Sequence, residues 1–177
     1  MTYTNRGADA LLKAMGAAML AAGPVMLWRS RSGRNEIRNE LTAQKIAFPE
    51  QGLPAHLAAF AGRPVETGPE ARAFADMIKG NLAIATNGRT YSEISAELNA
   101  ARDDEKLAKL RQTAFMGETL RASLMSAYQA WQITSLVTGL GALLTGVGAA
   151  LVVSAREGSR AGVTAALPAV RNSLHSR

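Results

Sequence analysis

The chain has 177 residues, 47% hydrophobic and 19% charged, with 20 Lys and Arg against 14 Asp and Glu for a net charge of +6, no Cys and two His. The missing thiols exclude disulfides, thiolate nucleophiles and zinc–thiolate sites, and His56 and His175 lie in segments too far apart to share a metal. The basic excess sits beside two uncharged runs, residues 14–28 and 122–155, while residues 29–122 are nearly balanced, so it suits anionic lipid headgroups and no nucleic-acid partner is expected.

A short tail, residues 1–10, precedes a first transmembrane helix over 11–28. The fifteen uncharged residues rise only about 22 Å as helix, so the span borrows Leu11 and Leu12 and Lys13 must snorkel. Met15, Met19 and Met26 project to one side as packing surface, and Pro24 predicts a kink near the end. Arg6 before a short apolar core also fits a cleaved signal peptide. Trp28-Arg29 follows without a small-x-small cleavage site, which favours an uncleaved anchor.

Residues 29–122 read as a small helical domain. The first helix continues over 35–46 through Ile37 and Leu41 until two prolines in KIAFPEQGLP break it. Pro69 sits at a first helical position, and Phe74, Ile78, Leu82 and Ala85 recur at helical steps until Asn87-Gly88 supplies a left-handed stop. Thr90 and Glu93 form a capping box for the next helix, whose apolar side is Tyr91, Ile94 and Leu98. From about Asp104 no stop occurs before the second span, so one long helix is expected, with Leu107, Leu110, Ala114, Leu120 and Leu124 on its buried side.

The second transmembrane helix is placed at 127–155, an uncharged stretch longer than the roughly 20 residues a bilayer requires. Tyr128 and Trp131 at one end and Arg156 at the other mark the membrane interface, as Trp28 and Arg29 do for the first span. On a helical projection Ile133, Leu136, Val137, Leu140, Leu143, Leu144, Val147 and Leu151 gather on one arc, and small residues fill the rest. Among these, Thr134, Thr138, Ala142, Gly146 and Ala150 repeat every four residues, the small-xxx-small spacing of close helix contacts. That stripe is the expected packing face for the first span, a second copy or a larger membrane protein. In the basic tail, residues 156–177, Val163, Leu167, Val170 and Leu174 fall at near-helical steps beside Arg160 and Arg171, which suits an amphipathic helix on an anionic leaflet. Gly158, Gly162 and Pro168 suit disorder equally.

No catalytic residue, metal ligand or cofactor site is expected. Asp103, Asp104 and Glu105 are adjacent acids at a helix start, where the macrodipole favours them, and Glu118 and Arg121 form a surface ion pair. Lys79-Gly80 lacks the glycine and Ser/Thr of a phosphate loop.

The segments FAGRPVETGPEARAFAD at 60–76, NGRTYSEIS at 87–95 and LRQTAFMGETLRASL at 110–124, set between two spans, resemble a group of uncharacterised actinobacterial two-span membrane proteins with an extracytoplasmic segment. Such proteins often carry a label as aromatic ring-opening dioxygenases. That chemistry requires an iron site, and the middle of this chain has one His. Here the first span is richer in Ala and the basic tail longer than in that group.

The resemblance implies both termini inside and residues 29–122 outside, at the plasma membrane. Charge alone pulls both ways, since Arg29, Arg31, Arg34 and Arg38 flank one span and Arg156, Arg160, Arg171 and Arg177 the other. The sequence therefore predicts an all-α fold of two transmembrane helices flanking a small extracytoplasmic helical domain. Its expected role is that of a non-enzymatic accessory or scaffold subunit of a cell-envelope complex. The alternative is a homo-oligomeric pore lined by Thr134, Thr138 and Thr145, and an enzyme acting on lipid or cell-wall precursors is a third reading.

Overall fold

A computed structural model describes residues 3–101 and 104–173, with side chains over 7–101 and 104–156. The fold is all-helical: α1 (Tyr3–Ala43), a short 3-10 helix (Ala55–Phe60), α2 (Gly68–Ala85), α3 (Tyr91–Ala100) and α4 (Glu105–Ser173). Helix α1 runs on through Pro24. The amphipathic pattern expected of the tail rests on side chains outside the described residues, although the backbone of α4 stays helical to Ser173.

Two compact units divide the chain, Met1–Arg31 with Ser135–Arg177, and Ser32–Thr134. The first is an antiparallel helix pair, in which Gly16 of α1 opposes Gly148 of α4 and Gly23 opposes Gly141. The second is a small domain whose core joins Leu41, Phe48, Leu57, Val65, Ala71, Ala75 and Leu124. It reaches Thr134, beyond the boundary expected at residue 122, because Leu124 is in its core and Trp131 packs on Gly68.

Local chemistry sets the domain's corners. Helix α1 stops at Ala43, and Lys45 turns the chain in the left-handed region at φ 52°. The following segment folds back so that the Phe48 amide donates to the Arg63 carbonyl at 2.9 Å and the Val65 amide to the Ile46 carbonyl at 2.9 Å. Phe48 then meets Phe60 in a stack at 5.2 Å and Phe74 edge-on at 5.1 Å, two geometries that the ring quadrupole favours. Asn87 and Gly88, at φ 57° and 78°, stop α2, as their sequence predicts. The Thr90–Glu93 capping box forms at the start of α3, with the Thr90 amide donating to the Glu93 carboxylate at 2.7 Å. Asp104 caps α4 by accepting from the amides of Lys106 and Leu107.

Glu70, in the first turn of α2, is buried and surrounded by donors. Its carboxylate accepts from the amides of Glu66 and Thr67 at 3.0 and 2.9 Å, from the Thr67 hydroxyl at 2.9 Å and from Arg63 at 2.7 Å. Burial pushes this carboxyl toward the neutral form, but the three hydrogen bonds and the Arg63 charge outweigh it and hold the pKa below its ordinary 4.5. This anion ties the loop before α2 to the helix start.

Candidate helix-packing and membrane-interface site

Two helices are long and apolar enough to cross a membrane, within Gly7–Ala43 and Glu105–Arg156, and only 11% of the most apolar stretch of each is buried. A helix in the core of a soluble domain is mostly covered, whereas these present their side chains outward. On α4, Leu136 is 73% exposed, and Ile133, Leu140, Leu143 and Val147 are exposed with it. Contiguous exposed apolar surface of this kind marks a contact site for a membrane or another protein.

The contact between α1 and α4 is built from backbone. A Cβ on Gly16 would lie 2.9 Å from the Gly148 carbonyl oxygen, and one on Gly148 would lie 2.8 Å from that of Gly16. Gly23 and Gly141 repeat the arrangement, at 2.7 and 2.9 Å. Because an added Cβ takes the place of a Cα–H, each glycine directs a Cα–H at the opposite carbonyl, a weak hydrogen bond that recurs at close helix crossings. Next to these, the hydroxyls of Ser30 and Thr138 are hydrogen-bonded to each other, and Thr145 donates to the Gly141 carbonyl at 2.8 Å.

The covered positions follow a seven-residue rhythm. They include Leu12, Gly16, Met19, Gly23, Met26 and Ser30 on α1 and Thr138, Gly141, Thr145, Gly148, Val152 and Ala155 on α4, with Leu20, Leu27, Val137, Leu144 and Leu151 partly covered at their edges. Steps of three and four average 3.5 residues, which keeps a seam facing its partner in a left-handed pair.

Against this frame the four-residue stripe separates. Thr138 lies in the seam, and Thr134, in the domain unit, is half-covered, donating to the Trp131 carbonyl at 2.7 Å and accepting from Arg34 at 3.3 Å. Ala142, Gly146 and Ala150 are exposed, and a Cβ added at Gly146 would meet nothing within 4 Å. Each four-residue step rotates about 40° beyond a full turn, so Thr134 and Ala150 end on nearly opposite sides of α4. The signal for the occupied seam was in the sequence, as Gly16, Gly23 and Ser30 and as Gly141, Gly148 and Ala155, each seven residues apart.

A second small-residue row remains uncovered on each helix. On α1 it is Ala10, Ala14, Ala17 and Ala21, and on α4 it is Gly139, Ala142, Gly146 and Ala149, all exposed at steps of three and four. Projection at about 100° per residue puts the α4 row on one flank of its seam, whereas the α1 row lies about 170° from its own seam and points away from α4. Leu136, Leu140, Leu143 and Val147 fall on the other flank of α4. Helix α4 thus has one flank of small side chains and one of large ones.

The interface residues differ in their surroundings. Trp28 is 67% exposed, and Arg29 and Arg156 are exposed as well. Tyr128 and Trp131 are half-covered within the domain unit, with Arg72 over the Tyr128 ring at 5.1 Å and Arg34 over the Trp131 ring at 5.3 Å. Stacking of this kind fixes a guanidinium by its face.

Of the acidic groups singled out in the sequence, Asp104 caps α4, Glu118 pairs with Arg121 at 2.9 Å, and Asp103 lies outside the described residues. Among the described residues no group of three or more His, Asp and Glu is placed to hold a metal. No protein-family model matches the chain, and neither a curated protein nor a solved structure matches it.

Proposed function

We propose that the protein is a non-enzymatic integral membrane subunit that inserts as a helical hairpin and binds other membrane proteins through the uncovered small-residue face of that hairpin. The supporting observation is the two-faced character of α4. In lipid there is no hydrophobic gain from covering leucine, so the leucine face is suited to acyl chains. The row of Gly139, Ala142, Gly146 and Ala149 admits another backbone at the short range already realised between Gly16 and Gly148. In this reading the residues 29–122 domain lies on the extracytoplasmic side of the plasma membrane, as its resemblance to actinobacterial two-span proteins implies, and both termini are inside.

The accessory reading is preferred to the pore because the hydroxyls of Thr138 and Thr145 are engaged inside the hairpin, with Ser30 and the Gly141 carbonyl. Gentle extraction from native membranes, followed by identification of what co-purifies, tests it. Ala142→Leu with Gly146→Leu is expected to release partners while the hairpin stays folded. Unchanged co-purification and unchanged oligomeric state with these variants would overturn it.

A further inference from the structure

The stretch of α4 around Tyr128, where the second span is expected to begin, carries a cluster of donors that the packing face does not use. The Tyr128 hydroxyl accepts two hydrogen bonds, from Gln132 at 2.7 Å and from Arg72 at 3.1 Å. With both lone pairs used, its own O–H is left to donate outward. Arg72 is exposed and has Asp76 one turn further along α2, yet among the described residues it forms no ion pair and lies over the Tyr128 ring instead. One turn along α4, Arg34 lies over Trp131 and adds a second positive charge. Arg72 spends one N–H on the Tyr128 hydroxyl, and a guanidinium has five, so others remain to meet a phosphate.

We infer that Arg72, Tyr128 and Gln132, with Arg34 contributing charge, bind the phosphate of an anionic phospholipid headgroup. The inference rests on the membrane reading above, which places Tyr128 and Trp131 at headgroup depth. The shared chemistry is an anionic phosphate group, for which free phosphate is the other source.

The test uses the full-length protein, purified in detergent, delipidated and titrated with phosphatidylglycerol or phosphatidylcholine, with retained lipid counted by native mass spectrometry. Selective retention of phosphatidylglycerol is expected, falling roughly tenfold in Arg72→Gln/Arg34→Gln and less in Arg72→Lys, which keeps the charge without the fork. Lys79→Gln, elsewhere on α2, should leave it unchanged, and circular dichroism melts check that each variant folds. Selectivity that survives the double glutamine variant overturns the inference, and so does selectivity abolished by inorganic phosphate at equal concentration, which would assign the site to a soluble ligand. Resistance of the protein to alkaline extraction from membranes is scored separately, so that failure of the headgroup site is distinguishable from failure of the membrane reading.

Discussion

Gly16 and Gly148 oppose each other so closely that neither can carry a side chain without pushing the other's carbonyl away. The two glycines therefore act as one contact. A leucine at Gly148 or Gly141 is expected to destabilise the hairpin by about 1–3 kcal/mol, the usual cost of forcing extra volume into a closed contact. Leucine at Gly146 or Gly139, where an added Cβ meets nothing within 4 Å, should leave hairpin stability unchanged. Reversible unfolding in mixed micelles would compare the two sets. The contrast separates the seam that holds the protein together from the face proposed to hold a partner.

The Ser30–Thr138 hydroxyl pair is the polar element of the same contact. Hydroxyls in an apolar surrounding find partners in the unfolded membrane state too, so the net coupling is modest, on average about 0.6 kcal/mol in membrane helices. A double-mutant cycle with Ser30→Ala and Thr138→Val should give a coupling of roughly this size. A value near zero would mean that glycine backbone contacts alone hold the pair.

Glu70 makes the domain's stability depend on pH. Its folded pKa lies below the ordinary 4.5, so the folded state holds the proton more weakly than the unfolded one. The resulting stabilisation is fully present above the unfolded value and is lost as pH falls through the depressed folded value. Denaturant midpoints should therefore decline on acidification below about 4.5, and Glu70→Gln should flatten this slope. At neutral pH the same substitution should cost about 1–3 kcal/mol, because it leaves the Arg63, Glu66 and Thr67 donors facing a neutral amide.

Much of this architecture is legible in local sequence. Asn87-Gly88, the Thr90–Glu93 box and the unbroken run from Asp104 each depend on nearby residues, so the residues that state them also build them, whereas α1 ends at Ala43 on the left-handed Lys45, before either proline of the expected break. The role of Glu70 is local as well, since Thr67 and Glu70 stand at capping-box spacing, yet Arg63 reaches it only through a loop whose path the sequence does not state. The packing seam was missed for a different reason. A four-residue rule describes one turn well, but over sixteen residues its drift exceeds a third of a circle, and only the seven-residue recurrence on both α1 and α4 identifies the faces that meet. The stacking of Arg72 on Tyr128 joins residues 56 apart, and no spacing in the chain announces it.

Orientation is open to direct measurement, because the chain contains no Cys and any introduced thiol is unique. The arginines flanking the two spans oppose each other, and residues 29–122 form a loop longer than the roughly 60 residues over which flanking charge governs insertion. The topology proposed above puts the Ser32–Thr134 unit outside. Lys79→Cys, exposed on α2, should then react with a membrane-impermeant maleimide in intact cells. Ser159→Cys, beyond the second span, should react only after permeabilisation. The reverse pattern would place the domain inside and turn Arg156 and the tail outward, against the proposed topology. Labelling at both sites in intact cells would mean that the chain does not cross twice, and the hairpin reading would fail with it.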